Sequence, residues 1–244
     1  MCRGSFKNLF LFHLYIYNVE SLQNIFLFRH GQSVCNARNS YCGWINSPLT
    51  EIGEIEVRNG LLEDKVKLMN IDKIYVSNLI RTQETASICV EELNLNKNII
   101  ECDWRLNEQL SGVLTGLNKI TSKNFFGNNQ IRLWRRSLNY KAPGSLLGVD
   151  LSLYTYCQGD FLQMNKEELI YFEELGGSES FREMNVRVMN FWNEKIISSN
   201  YENILIVAHG NIIRGILHNL KQLNETEVSK LEIERCKIYP ILLE

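Results

Sequence analysis

The stretch Asn24-Ile25-Phe26-Leu27-Phe28-Arg29-His30-Gly31 constrains this chain more than any other. Its apolar run is short and ends abruptly in charge and glycine. An apolar run without alternation reads as a strand covered on both faces, the condition of a parallel sheet. The pair Arg29-His30 at its end is not core material. Ligands of open α/β sheets bind beyond the carboxyl ends of the strands, so these two side chains stand where chemistry is expected.

The rest of the chain supplies elements of the same kind. Ser47-Pro48-Leu49-Thr50-Glu51 reads as a helix entry, with a helix from about Glu51 to Leu68. Asp72–Ser77 is a second strand, followed by a helix to about Leu93; Asn98–Cys102 is a third strand. Residues 117–140 read as helical in part, and residues 141–175 as a loop-rich insertion. Ser180-Phe181-Arg182-Glu183 is a capping box opening a helix to about Ile197. Asn203–Ala208 is the most apolar strand, and it ends in His209-Gly210-Asn211 before a helix to about Leu220. Asn224 caps a short helix, and Ile238–Leu243 is the last strand. Strands alternating with helices imply an α/β fold, a three-layer sandwich with a mainly parallel central sheet and helices on both faces. No linker or repeat divides residues 24–244, which are expected to form a single domain. Residues 1–23 hold Arg3 and Lys7 before the apolar run Leu9–Tyr17. That run is too short for a membrane span, and no A-x-A site follows it. An N-terminal extension is the favoured reading, a weak signal peptide the other.

Charge and cysteine usage narrow the function. The net charge of −2 excludes a bulk pull toward nucleic acid or acidic lipid, so positive charge for an anionic ligand must be focused locally. Neither nucleic acid nor membrane is expected as a partner. The seven cysteines are scattered, without a C-x-x-C pair, which favours reduced thiols in a cytoplasmic protein. The four histidines have no metal-binding spacing, so no metal is expected. Nucleotide fingerprints of the G-x-G-x-x-G and P-loop kinds are absent.

Two apolar strands therefore end in His-Gly. One such histidine is as readily structural as functional; two suggest a site. The glycines let backbone turn or approach a ligand, and the helix N-termini that follow favour phosphate. Arg29 and Arg81 offer planar guanidinium groups to phosphate oxygens, although Arg81 alone also reads as a solvated helix residue. A neutral imidazole is a nucleophile toward phosphorus, a second histidine supplies charge, and an acid must protonate the leaving oxygen. Glu108 in Trp104-Arg105-Leu106-Asn107-Glu108 is the acid proposed by position; a surface carboxylate is its other reading.

These residues resemble the cofactor-dependent (2,3-bisphosphoglycerate-dependent) phosphoglycerate mutases of the histidine phosphatase superfamily, with this chain a divergent member. The likeness rests on Arg29-His30-Gly31 with Ser33 and Asn36, on Cys42-Gly43-Trp44, and on Ser77, Leu79, Arg81, Thr85 and Ala86. It continues through Trp104–Glu108, Gly116-Leu117-Asn118-Lys119, Trp134-Arg135-Arg136-Ser137, Gly177–Phe181, Phe191–Glu194 and Ala208-His209-Gly210-Asn211. From about Ile25 to Leu138 it needs no gaps; residues 141–175 match poorly. The resemblance implies that His30 is the phosphorylated nucleophile and Glu108 the acid and base. Arg29, Arg81 and His209 then stabilise the phosphoryl group. Asn36, Cys42, Gly43, Ser111, Lys119, Arg135, Arg136, Gly210 and Asn211 become substrate contacts. The implied reaction interconverts 2- and 3-phosphoglycerate in glycolysis and gluconeogenesis, primed by 2,3-bisphosphoglycerate without a metal. The implied assembly is a homodimer or homotetramer.

Departures from the family pattern leave a phosphatase of bisphosphoglycerate or another small phosphoester as the alternative. A catalytically weak binding or scaffold protein is the second. Ser111 stands where the mutases have a substrate-contacting tyrosine, a loss of about 0.5–1.5 kcal/mol. Cys42 replaces a threonine hydroxyl with a weaker donor. The sequence closes at Glu244, without the covering tail of the mutases, which would favour transfer to water.

Overall fold

The computed structural model describes residues 23–64, 68, 70–144 and 162–243. Its strands are β1 (Gln23–Arg29), β2 (Lys73–Val76), β3 (Ile100–Cys102), β4 (Asn203–Ala208) and β5 (Ile238–Leu243). They form one sheet in the order β3-β2-β4-β1-β5, parallel except for β5, which runs antiparallel to β1. The helices are α1 (Val34–Ala37), α2 (Glu51–Asp64), α3 (Ile80–Glu92), α4 (Lys119–Phe126), α5 (Asn128–Arg136), α6 (Lys166–Glu174), α7 (Phe181–Phe191), α8 (Gly210–Leu220) and α9 (Glu225–Lys230). The expected α/β architecture with a mainly parallel sheet is the one found.

The strands are apolar throughout because both faces are covered. Successive side chains leave a strand on opposite sides. Ile25, Leu27, Ile204, Ile206 and Ala208 enter one core with Met184 and Val188 of α7 and Ile212 and Ile216 of α8. Phe26, Phe28, Ile74, Val76, Leu205 and Val207 enter the other, with Val57 and Leu61 of α2 and Ala86 and Val90 of α3. Each such side chain, fully buried, contributes about 1.5–3 kcal/mol of transfer free energy.

Local signals set the helix starts. Thr50 Oγ1 accepts from Gly53 N at 3.0 Å at the head of α2. The expected capping box at Ser180 and Glu183 is formed, and Asn224 caps α9 with Glu227. The helical stretch after Ser180 continues past α7 as a π-turn, Trp192–Ile197.

Three expectations change. Gln23, assigned to the N-terminal extension, belongs to β1: it is buried, and its Nε2 donates to the carbonyls of Ser199 and Tyr201 at 3.1 Å each. The loop-rich insertion of residues 141–175 contains α6, whose start is capped by Asn165 and Glu168; residues 145–161 lie outside the described residues, as do residues 1–22. Cys42, Cys89, Cys102 and Cys236 are free thiols, whereas Cys35 is disulfide-bonded, so the expectation of reduced thiols fails for Cys35. Among the described residues no helix is long and apolar enough to cross a membrane.

The topology places a site. From β1 the chain passes to α2 on one face; from the adjacent β4 it passes to α8 on the other. A crevice opens at the carboxyl ends of strands where the chain departs in this way. Arg29 and Ala208 are paired in register, so His30 and His209 emerge side by side.

Candidate active site

His30 and His209 meet edge to face with ring centroids 5.0 Å apart. His30 is 4% exposed and His209 fully buried. Their hydrogen bonds orient them differently. His30 Nδ1 lies 2.6 Å from the Gly31 carbonyl oxygen. A carbonyl can only accept, so Nδ1 carries the proton and Nε2 keeps its lone pair. His209 Nε2 bonds to Ser77 Oγ at 2.9 Å, at the tip of β2, and its Nδ1 has no partner.

The two glycines serve unequal purposes. A Cβ on Gly31 would lie 2.4 Å from the Gly53 carbonyl oxygen in α2, so Gly31 is required by helix packing against the strand tip. Gly210 opens α8 beside Arg29, whose Nε lies 3.6 Å from where a Cβ would stand.

Two guanidinium groups flank the histidines. Arg81, in the first turn of α3, is 1% exposed. Its terminal nitrogens donate to the carbonyls of Ile45 at 2.9 Å and Gly43 at 3.1 Å. Arg29 Nη1 donates to the Ile233 carbonyl at 2.6 Å. The Nε of each is buried and unpartnered. An unmade hydrogen bond to a buried charged donor is costly. With the buried, unpartnered Nδ1 of the neutral His209, three such unsatisfied nitrogens belong to this one cluster. The start of α8 adds unpaired backbone amides, since His209 at its N-cap makes no side-chain capping bond.

A pocket of about 70 Å³ lies over His30 and is lined by Arg29, Asn36, Ser40, Tyr41, Cys42, Gly43, Arg81, Glu108, Ser111, Lys119, Arg135 and Asn211. Among the described residues Glu108 is its single carboxylate. Among the described residues none of Arg29, Arg81, Lys119 and Arg135 forms an ion pair. A chain of net charge −2 thus concentrates positive charge in one small space.

Glu108 is held by its backbone. Its carbonyl accepts from Trp44 Nε1 at 2.6 Å and from Arg187 Nη2 at 3.1 Å. Its Oε1 accepts from Gln109 N at 2.8 Å, which leaves Oε2 for the pocket. Arg187 is anchored on Glu179 at 2.6 Å, and Glu179 Oε1 also accepts from Leu110 N at 2.8 Å. Gln109 ties this segment to α8 by accepting from Asn211 Nδ2 at 2.9 Å. Ser111 Oγ donates to the Gln109 carbonyl at 3.3 Å, and Cys42 Sγ accepts from Asn36 Nδ2 at 3.8 Å.

Two anticipated contacts fall outside this lining. Gly210 stands behind Arg29. Arg136, next to Arg135 on α5, is absent from that lining: its Nη2 donates to Glu232 at 3.0 Å, its Nη1 is buried without a partner, and it lines a groove of about 430 Å³ with Arg132 and Glu225. Adjacent positions on a helix point about 100° apart, so a tandem arginine pair cannot serve one small pocket equally. Conversely, Ser40 and Tyr41 line the pocket without having been anticipated. Their signal was proximity alone, directly before Cys42-Gly43-Trp44.

Burial and the neighbouring guanidinium groups push both imidazoles well below the ordinary histidine range: burial first, then Arg81, for each. His30 is therefore neutral and nucleophilic at neutral pH. The sign for folding follows. The unfolded chain takes up protons on these side chains below about pH 6.5, and the folded chain does not, so stability falls as pH falls. Between pH 7.5 and 5.5 each histidine is expected to lower the stability as its unfolded form takes up a proton. Denaturant unfolding at both pH values checks this on wild type against His209→Ala, whose smaller pH-dependent loss is the expected result; equal losses would contradict it.

Unpartnered donors around a neutral imidazole ask for an anion, and a doubly covered sheet that ends in such a demand is the architecture of an α/β phosphoryl-handling protein. The comparisons narrow this class. The model of the histidine phosphatase superfamily, branch 1, matches residues 25–152 and 159–244. The chain belongs to that superfamily and is an enzyme of phosphoryl transfer. It is 33% identical over 220 residues to 2,3-bisphosphoglycerate-dependent phosphoglycerate mutase 2 of Bacteroides thetaiotaomicron, covering 89% of this chain and 86% of the relative. It is 34% identical to the corresponding mutase of Bacteroides fragilis, covering 89% and 86%. Among solved structures, mycobacterial glucosyl-3-phosphoglycerate phosphatase superposes with a TM-score of 0.67 at 20% identity, covering 89% of this chain and 92% of that one. Phosphoglycerate mutase from Bacillus anthracis superposes at 0.62 and 20% identity, covering 92% and 89%.

Proposed function

We propose that the chain is a phosphoglycerate mutase that interconverts 2- and 3-phosphoglycerate through phosphorylated His30, in cytoplasmic glycolysis and gluconeogenesis. The observation that carries the reading is the second pair of cations. Lys119 and Arg135 line the same small pocket as His30, Arg29 and Arg81, so a ligand there meets four cations beside the nucleophile. A three-carbon acid with a phosphate has that shape and charge. The primer, 2,3-bisphosphoglycerate, fits the same donors: Arg29 Nε, Arg81 Nε and His209 Nδ1 would hold the reacting phosphate, and Lys119 and Arg135 the remaining anionic groups.

His30 Nε2 attacks phosphorus with its lone pair, and the phosphorus–oxygen ester bond breaks. The Nδ1–H bond to the Gly31 carbonyl stabilises the positive charge that develops on the ring. Arg29, Arg81 and His209 stabilise the equatorial oxygens. Glu108 gives its proton to the leaving alkoxide through Oε2. In the second half it takes a proton from the acceptor hydroxyl, which attacks phosphorus and breaks the phosphorus–nitrogen bond. If water is the acceptor, the same steps give a phosphatase. The short Ser111 side chain, tied to the Gln109 carbonyl, favours that second reading.

The test is to incubate with 2,3-bisphosphoglycerate, look for acid-labile, alkali-stable phosphate on His30 and follow its fate. Delivery to monophosphoglycerate is the expected result; release to water alone would give the phosphatase reading instead. Glu108→Gln is expected to lower kcat by about 10²–10³-fold with KM within a few-fold. A change mainly in KM would reduce Glu108 to a binding residue.

A further inference from the structure

Lys119 and Arg135 raise a physical question. They point into one pocket, repel each other and have no carboxylate partner among the described residues. Two neighbouring like charges without a counterion separate unless something neutral attracts both. Tyr41 does so. The Arg135 guanidinium carbon lies 4.7 Å from the centroid of the Tyr41 ring, and Lys119 Nζ lies 5.9 Å from it. The face of an aromatic ring is negative and draws cations within about 6 Å. Neither charge is neutralised by this contact, so both remain available to an anion.

The ring is itself held in place. Tyr41 is 3% exposed and packs with Val113, Leu114, Ile131 and Ala142. Its backbone is fixed on both sides: Tyr41 N donates to the Leu117 carbonyl at 3.0 Å, and Gly116 N to the Tyr41 carbonyl at 2.7 Å. Lys119 follows that same backbone pairing and opens α4, while Arg135 arrives on α5. The ring is therefore where two separate helices are brought to one charge separation. Tyr41, Lys119 and Arg135 line the same pocket as His30, Arg29 and Arg81.

We propose that Tyr41 is a positioning residue that sets specificity: its ring holds Lys119 and Arg135 as a second anion-binding pole and so selects ligands with two anionic groups over a lone phosphate. This rests on the reading of His30 as the phosphate end of the pocket. It extends that reading from which residues touch the ligand to which residue fixes the distance between its two charged ends.

Binding rather than turnover tests it. Calorimetry with 3-phosphoglycerate and with inorganic phosphate is measured for wild type, Tyr41→Phe, Tyr41→Leu, Arg135→Gln and the double variant Tyr41→Leu/Arg135→Gln. Tyr41→Leu is expected to weaken 3-phosphoglycerate about tenfold, within the range of a desolvated cation–π contact, and to leave phosphate within twofold, which also reports an intact fold. Tyr41→Phe keeps the ring and loses only the hydroxyl that meets Arg135, so it is expected to weaken 3-phosphoglycerate by about twofold at most and to leave phosphate unchanged. In the Arg135→Gln background the Tyr41→Leu effect should shrink to threefold or less, the sign of coupled rather than independent sites. Equal weakening of both ligands, or full additivity of the two substitutions, would overturn the proposal. So would a Tyr41→Phe variant as impaired as Tyr41→Leu, or a wild type that prefers phosphate. Failure of His30 to take up phosphate in the labelling experiment overturns the mutase reading and leaves these binding outcomes separately readable.

Discussion

His30→Ala is expected to abolish phosphate labelling and to lower phosphoryl transfer by roughly 10⁴-fold or more, the scale on which covalent catalysts lose activity with their nucleophile. Nδ1 is committed to the Gly31 carbonyl at 2.6 Å, so Nε2 is the one nitrogen with a lone pair to give. His209 cannot take its place, because its Nε2 is engaged by Ser77 Oγ. His209→Ala should therefore behave differently: labelling slows by about 10²–10³-fold, the cost of removing one transition-state donor, but still occurs on His30. Each substitution empties a buried imidazole site, so the unfolding midpoint of both variants is measured alongside to separate lost chemistry from lost stability. Mass spectrometry of trapped enzyme reads the labelled residue. Undiminished labelling in His30→Ala, or labelling transferred to His209, would sink the assignment.

The second large effect is expected at Arg187, outside the pocket. Its side chain is 4% exposed and that of its partner Glu179 is fully buried, 2.6 Å away. Breaking such a pair by removing one member leaves an uncompensated charge in the interior, a loss of about 3–5 kcal/mol. Arg187→Met should therefore lower the unfolding free energy by that amount in denaturant titration. It should also lower kcat by an order of magnitude or more. Arg187 donates to the carbonyls of Arg105 at 2.6 Å and Glu108 at 3.1 Å, so its loss frees the backbone that aims Glu108.

The double variant Arg187→Met/Glu179→Leu separates the two roles. Replacing a buried ion pair with apolar groups of similar volume is often neutral for stability, so most of the unfolding free energy should return. The kcat should not, because the Glu108 carbonyl is left with Trp44 Nε1 alone and the Leu110 amide still lacks its partner. If kcat recovers with stability, the pair serves the fold alone.

The comparison of strand tips with pocket lining shows what local pattern can carry. The apolar runs at Ile25–Phe28 and Ile204–Ala208 announce doubly covered strands because period-two geometry sends alternate side chains into two cores. The histidines that follow stand at the sheet's carboxyl edge for the same reason, and the resemblance to the mutases attached roles to Arg81, Glu108, Lys119 and Arg135. Arg136 shows the limit of that transfer. It stands beside Arg135 in sequence yet faces Glu232 across the molecule. Gly31 shows another: it was expected to admit a ligand or a turn, and it admits the Gly53 carbonyl of α2 instead.

The chain by itself determined its fold class and pointed to the ends of β1 and β4 as the place for an anionic ligand. Those follow from short-range rules: periodicity, turn residues, and charge placed where an apolar strand stops. Only the tertiary structure decided which cations share the pocket, that the Tyr41 ring stands between Lys119 and Arg135, and that Arg187 and Glu179 hold the backbone of Glu108. These depend on helices far apart in sequence arriving at set angles and distances. Arg29-His30-Gly31 could announce a phosphate site from one strand, but the number and spacing of positive charges around it exist only once α4, α5 and α7 have packed.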